Sequence, residues 1–188
     1  MADLAELERR LDALLANKDR VICAIDGRAG AGKTTLAAAL AARYDAAVVH
    51  ADDFFPRPEQ RTAARLAEPG GNLDRERLRE QVLRPLARKD GRVAYRTYDC
   101  SLGRLTDEIV LPEARLYIVE GSYSLHPELR SYYDLAVFVT TAPDTQLRRV
   151  EARDPSKLAV FRDKWIPLEE LYFNTFEIAR RADVIFET

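Results

Sequence analysis

The stretch Gly27-Arg28-Ala29-Gly30-Ala31-Gly32-Lys33-Thr34-Thr35 places glycines, a lysine and two hydroxyl side chains at the spacing G-x-x-x-x-G-K-[ST]. That spacing suits a loop that wraps a polyphosphate, because glycines let the backbone N–H groups come close to the anion. The candidates for nucleotide contact are therefore Gly27, Ala29, Gly30, Ala31, Gly32, Lys33, Thr34 and Thr35. Lys33 would reach the β- and γ-phosphates, and Thr34 would put its hydroxyl on Mg²⁺. Such a loop works only between a strand and a helix. The apolar run 21–25 precedes it and the Ala-rich segment 36–42 follows, so the helix would point its positive end at the phosphates.

Further chemistry belongs beyond the carboxyl ends of other strands, where open α/β sheets bind ligands. The short apolar run 46–50 delivers Asp52 and Asp53, and the run 116–119 delivers Glu120 and Gly121. One carboxylate near Mg²⁺ can hold the metal or its water, and one near an acceptor hydroxyl can take its proton. Asp52 and Glu120 could share those tasks, while Asp53 also suits ordinary loop chemistry. Arg149 and Arg153 lie four residues apart on one face of an expected helix. Cations there could close over a transferring phosphoryl group and shut out water, or simply stabilise the helix end.

These groups need a scaffold, and the apolar pattern supplies one. Residues 1–17 carry Leu4, Leu7, Leu11, Leu14 and Leu15 among charges, an amphipathic helix that would cover a core edge or dock a partner. Residues 56–71 read as a loop with a helical turn. Residues 73–86 read as a helix with Asp74 as its N-cap, and 91–111 as a hairpin or flap on the substrate side. Strands at 135–140 and 182–186 alternate with helices at 143–153 and 167–181. Near-continuous apolar strands alternating with helices predict an α/β fold, a doubly wound five-stranded parallel sheet of the P-loop NTPase kind, in a single domain spanning 1–188.

Composition narrows the partners. With 29 basic and 31 acidic residues and a net charge of -2, the chain is expected to bind neither nucleic acid nor a membrane surface, and a small molecule suits it better. Cys23, Cys100, His50 and His126 form neither a disulfide framework nor a zinc spacing. With no signal peptide or membrane-length apolar run in view, the expectation is a cytoplasmic protein, and the first helix leaves room for a homo-oligomer.

The residues from Asp26 through Thr35, Asp52-Asp53-Phe54-Phe55, Ile118-Val119-Glu120-Gly121, Leu147-Arg148-Arg149-Val150 with Arg153-Asp154, and Ala182-Asp183-Val184-Ile185 together resemble the ordered motifs of the uridine kinase-like family of P-loop kinases. The resemblance implies an ATP and Mg²⁺ donor complex and a γ-phosphoryl transfer to a hydroxyl of a nucleoside-like acceptor. It implies Asp52 as base and Thr34, Asp52 and Glu120 near the metal. It also places Lys33, Arg149 and Arg153 at the phosphates, with a short lid at about 153–166.

On the acceptor side, uridine kinases follow a Tyr-Asp pair closely with a histidine. Here Tyr98-Asp99 runs into Cys100-Ser101-Leu102-Gly103-Arg104. The 52–55 quartet and 161–167 are similar to nicotinamide riboside kinases, and other ribosyl compounds, pantothenate or a sugar phosphate are alternatives. Arg57, Arg61 and Arg65 would suit an anionic acceptor. Tyr95 and Tyr98 could stack on a base or anchor the flap in the core. Asp53, Asp74 and Asp99 complete the substrate candidates.

Other classes would use the same loop. A GTPase needs a guanine-reading Asn-Lys-x-Asp after a late strand; 140–144 lacks one, and Asn17-Lys18-Asp19 precedes the loop. An ATP-binding regulatory module with slow hydrolysis would differ in turnover rather than in sequence.

Overall fold

The structure, a computed structural model, describes residues 3–188; Met1 and Ala2, the first residues of the expected helix 1–17, lie outside the described residues. In chain order the strands are β1 (Val21–Gly27), β2 (Ala47–His50), β3 (Ala94–Asp99), β4 (Arg104–Val110), β5 (Leu116–Glu120), β6 (Leu135–Thr140) and β7 (Val184–Glu187). Five of them form one sheet in the order β2-β5-β1-β6-β7, every neighbouring pair parallel. β1 lies at its centre and is buried along its whole length, as an apolar strand covered on both faces must be.

Successive strand residues face opposite ways. Cys23 and Ile25 therefore join a core with α1 (Leu4–Asn17) through Leu7 and Leu11, and with α2 (Lys33–Tyr44) through Leu36 and Leu40. The amphipathic first helix thus covers the core, with Asp3 accepting from the Glu6 N–H as its cap. Ile22 and Ala24 face the other core, which holds Leu78, Val82, Leu86, Tyr172 and Phe173. The segment before it is a loop with one short helix, α3 (Ala63–Ala67).

Asp74 caps α4 (Arg75–Leu78) by accepting from the Arg77 N–H. The helix then widens into a π-turn (Arg79–Leu83) and continues as α5 (Arg84–Arg88). After α6 (Pro143–Arg153), the chain turns through Pro155–Lys157 into α7 (Leu158–Val160), a second π-turn (Phe161–Trp165) and α8 (Ile166–Phe176). Both π-turns sit just ahead of a proline, Pro85 or Pro167. A proline inside a helix has no N–H and crowds the carbonyl four residues back; widening the preceding turn relieves that crowding.

The helix expected to start at Pro167 therefore starts at Leu158, and the lid expected at about 153–166 is mostly helical and continuous with α8. The same expected helix also breaks once. Glu177 takes a left-handed φ of 51°, ending α8 and starting α9 (Ile178–Arg181), which turns Ile178 into the core. Of the two readings of 91–111, a hairpin or a flap, the structure has an antiparallel hairpin of β3 and β4.

Candidate active site

At the end of β1, Gly27 has a φ of +141°, and a Cβ there would lie 1.9 Å from the Val139 carbonyl oxygen of β6. Only glycine fits. The loop then turns through Gly30 and through Gly32, whose φ of 90° starts α2. Lys33 folds back over the loop, its Nζ donating to the carbonyls of Gly27 at 2.7 Å and Arg28 at 3.0 Å. Beneath it, Asp26 is wholly buried and accepts four hydrogen bonds, from the N–H groups of Gly27, Tyr123 and Leu125 and from the Tyr172 hydroxyl. Burial pushes its carboxyl up to about 6. Asp26 thus ties the phosphate loop to the turn after β5 and to α8.

The second group assembles across β2 and β5. His50 and Glu120 are register partners, which brings the imidazole Nδ1 within 2.6 Å of Glu120 Oε1. Hydrogen bonding to that carboxylate raises His50 above its ordinary value. The Thr34 hydroxyl donates to the same carboxylate at 3.2 and 3.3 Å. Neighbouring ligands of an octahedral Mg²⁺ lie about 3 Å apart, so a threonine hydroxyl and a carboxylate at this separation suit that ion, directly or through its waters. Among the described residues no group of three or more His, Cys, Asp or Glu side chains forms a metal cage. Mg²⁺ is typically held by one or two carboxylates plus substrate phosphates.

One cavity of about 710 Å³ collects these parts, a size that suits a nucleotide and a small acceptor. Ala29, Gly30, Gly32, Lys33, Thr34, Thr35, Asp52, Glu120, Arg149 and Arg153 all line it. Asp52 and Asp53 part company: Asp52 is exposed and reaches the cavity, while Asp53 accepts from the Tyr95 hydroxyl at 2.9 Å and is raised by burial. Arg149 donates to the Gly30 carbonyl and to Thr188 Oγ1. Arg153 lies over the Phe161 ring at 5.3 Å, joining the end of α6 to the lid.

None of the five residues expected to hold the acceptor lines the cavity. Tyr95 is stacked on Phe54 with its hydroxyl on Asp53. The buried Tyr98 ring packs under Arg61. Asp74 is committed to Arg77 as cap and ion pair. Asp99 closes the hairpin turn by accepting from Ser101 and Leu102. Of the arginine series, Arg65 is locked by Glu76 and by the carbonyls of Gly71 and Leu73, and Arg57 pairs with Glu59 and Asp74. Arg61 donates to the Pro56 carbonyl and stacks on Phe55.

The rest of the cavity wall includes Phe55, Asn72, Leu73, Cys100, Tyr123, Trp165 and Glu169. Phe55 and Trp165 meet edge to face at 6.5 Å. Their presence in the quoted 52–55 and 161–167 stretches was a signal for the aromatic pair. Nothing in the sequence distinguishes Glu169, which accepts from the Ala29 N–H and the Ser122 hydroxyl.

No protein-family model matches the chain, and no curated protein matches it in sequence. Solved structures do. A possible uridine kinase from Bacillus stearothermophilus superposes with a TM-score of 0.69 at 24% identity, over 96% of this chain and 99% of that one. A protein provisionally named a fructose transport system kinase, from Silicibacter sp. TM1040, gives 0.65 at 23% identity over 99% and 100%. YFH7 from Saccharomyces cerevisiae, provisionally described as a P-loop containing kinase with a circular permutation, gives 0.68 at 13% over 100% and 99%. At such identities the likeness is one of fold. The chain has the α/β fold of the uridine kinase-like P-loop proteins, and no described helix is long and apolar enough to cross a membrane.

Proposed function

We propose that this protein is an ATP- and Mg²⁺-dependent kinase that transfers the γ-phosphoryl group to a hydroxyl of an uncharged, nucleoside-like small molecule. The observation that carries the reading is the single cavity that holds the phosphate loop, the Thr34–Glu120 pair, the free carboxylate of Asp52 and the cations Arg149 and Arg153 together. Each has a task in phosphoryl transfer. The loop N–H groups and Lys33 bind and orient the phosphates. Thr34 and Glu120 would hold Mg²⁺, which when bound neutralises phosphate charge. Asp52 takes the acceptor's proton at its carboxylate, and Arg149 and Arg153 approach from the lid side and exclude water.

Away from the loop the cavity wall bears aromatic rings and an amide, and among the described residues its cations are Lys33, Arg149 and Arg153, which the nucleotide's phosphates would engage. That favours a flat, hydroxyl-bearing acceptor without a phosphate of its own, because a second anion beside Asp52 would be repelled. The test is acceptor-dependent ADP release over a panel of nucleosides, nicotinamide riboside, pantothenate and pentose phosphates. Stimulation by a ribosyl compound is expected. Steady ATP hydrolysis that no acceptor stimulates would replace this reading with that of a regulatory ATP-binding module.

A further inference from the structure

Glu169 is an anion inside a cavity built for anions. It is 4% exposed. Its Oε2 accepts from the Ala29 N–H at 2.9 Å, and its Oε1 accepts from the Ser122 hydroxyl at 2.7 Å. Among the described ion pairs it has no partner; the Arg28 guanidinium feels its charge but pairs with the adjacent Glu170. The N–H groups of such a loop are what a nucleotide's phosphates bind, so a protein carboxylate holds one of them. Burying a carboxylate that makes no ion pair of its own is costly, and packing alone would have been served by glutamine.

Helix α8 also holds the loop's flank, through Glu170 on Arg28 and through the Tyr172 hydroxyl on Asp26. It runs back through the π-turn to the lid, where Phe161 and Trp165 line the same cavity. Trp165 lies one helical turn before Glu169 and is the chain's single tryptophan.

Resting on the reading of this cavity as the nucleotide site, we infer that Glu169 is a positioning residue that competes with the nucleotide's phosphate for the Ala29 N–H. The carboxylate keeps the loop ordered when the site is empty. An arriving phosphate repels it and takes the N–H, and the displaced carboxylate shifts the first turn of α8 and Trp165, while Tyr172 stays on Asp26. Phosphate binding and lid position are thereby one equilibrium.

Glu169→Gln tests this, because the amide oxygen can still accept from Ala29 while the charge is gone. Calorimetry with ATP·Mg²⁺ is expected to show binding about five-fold or more tighter than wild type, the order that one like charge a few ångströms away imposes even in a water-like dielectric. Ser122→Ala loosens the carboxylate without altering its charge and is expected to tighten binding about two-fold, a smaller change in the same direction. In wild type, ATP·Mg²⁺ is expected to change Trp165 emission. A merely structural glutamate predicts the reverse, a lower melting temperature and weaker binding in both variants. Wild type that binds ATP·Mg²⁺, with Glu169→Gln equal or weaker, overturns this inference alone. Wild type that binds no ATP·Mg²⁺ overturns the nucleotide-site reading, and this inference with it.

Discussion

The hydroxyl of Tyr172 is a removable tie between the phosphate loop and the core. Tyr172 is wholly buried, and its ring packs against Tyr123, Phe173 and Phe176. Its oxygen donates to Asp26 Oδ2 at 2.8 Å. Tyr172→Phe keeps the ring and deletes that bond. A hydrogen bond to a charged group contributes about 1.5–3 kcal/mol, and one between neutral groups about 1 kcal/mol. Asp26 lies near 6 in the folded protein, so it is ionised at pH 8 and mostly protonated at pH 5. Losing a donor that favours the carboxylate raises the folded Asp26 further. The folded variant then holds its proton to higher pH than folded wild type, and its stability deficit grows as pH rises between 5 and 8. The expected deficit is about 1 kcal/mol at pH 5 and about 2–3 kcal/mol at pH 8. Urea unfolding at both pH values measures it. Thermal scans at pH 8 should show a drop of roughly 4–12 °C for a chain of this size. An equal deficit at the two pH values, or a larger one at pH 5, would refute the assignment of Asp26 as a buried group titrating near neutrality.

Asp52→Asn is expected to leave ATP·Mg²⁺ affinity within a few-fold of wild type while lowering transfer by about 10²-fold or more, the range of general-base removal. Glu120→Gln should instead raise the Mg²⁺ concentration for half-maximal rate, and a Mg²⁺ titration of both variants separates the roles. Alanine at Arg149 or Arg153 should cut kcat more than it raises KM for ATP, as steady-state kinetics would show; equal effects would indicate simple nucleotide binding. His126 is pushed down to about 4, by burial first and then by Arg75. The folded state needs it neutral, so its contribution is full above about 6.5 and is lost as pH falls toward 4. The stability advantage of wild type over His126→Gln should shrink over that window in urea titrations, and a flat difference would remove the argument.

Much of this architecture could be read from the chain because its signals are local. The runs 21–25, 116–119 and 135–139 are apolar throughout, and only a sheet covered on both faces needs that. Asp74 as a cap follows from turn chemistry within a few residues, whereas the mixed aromatic and basic residues of 91–111 left a hairpin and a flap equally open. The errors have equally definite causes. Pro167 suggested a helix start, since a first-turn proline costs nothing, whereas the chain keeps Pro167 inside a longer helix by widening the turn before it. Tyr95 and Tyr98 have rings that serve a core as well as a ligand, and both are buried. Glu169 carries no local mark, because its partner Ala29 lies 140 residues away in sequence. The same holds for Asp26 and Tyr172, 146 residues apart.

The way these buried acids are satisfied bears on the cavity's chemistry. Asp26 and Glu169 both lie beside the phosphate loop, and among the described residues neither makes an ion pair; N–H groups and hydroxyls make their hydrogen bonds, with Lys33 and Arg28 acting on them only through space. Direct ion pairs would answer their charge more fully, but under the proposed function the nearby cations are the ones a polyphosphate needs. Pairing Lys33 with Asp26 would draw its ammonium below the loop, away from the cavity. Neutral donors avoid that competition. They leave Lys33 resting on carbonyl oxygens at Gly27 and Arg28, which an anion can outbid, and leave Arg149 and Arg153 on the cavity wall. Arg28, the loop's other cation, is partly buried and held by Glu170 and by Thr140 Oγ1. The raised carboxyl of Asp26 follows from this arrangement. Its donors and the nearby charge of Lys33 together do not offset its desolvation as a direct ion pair would.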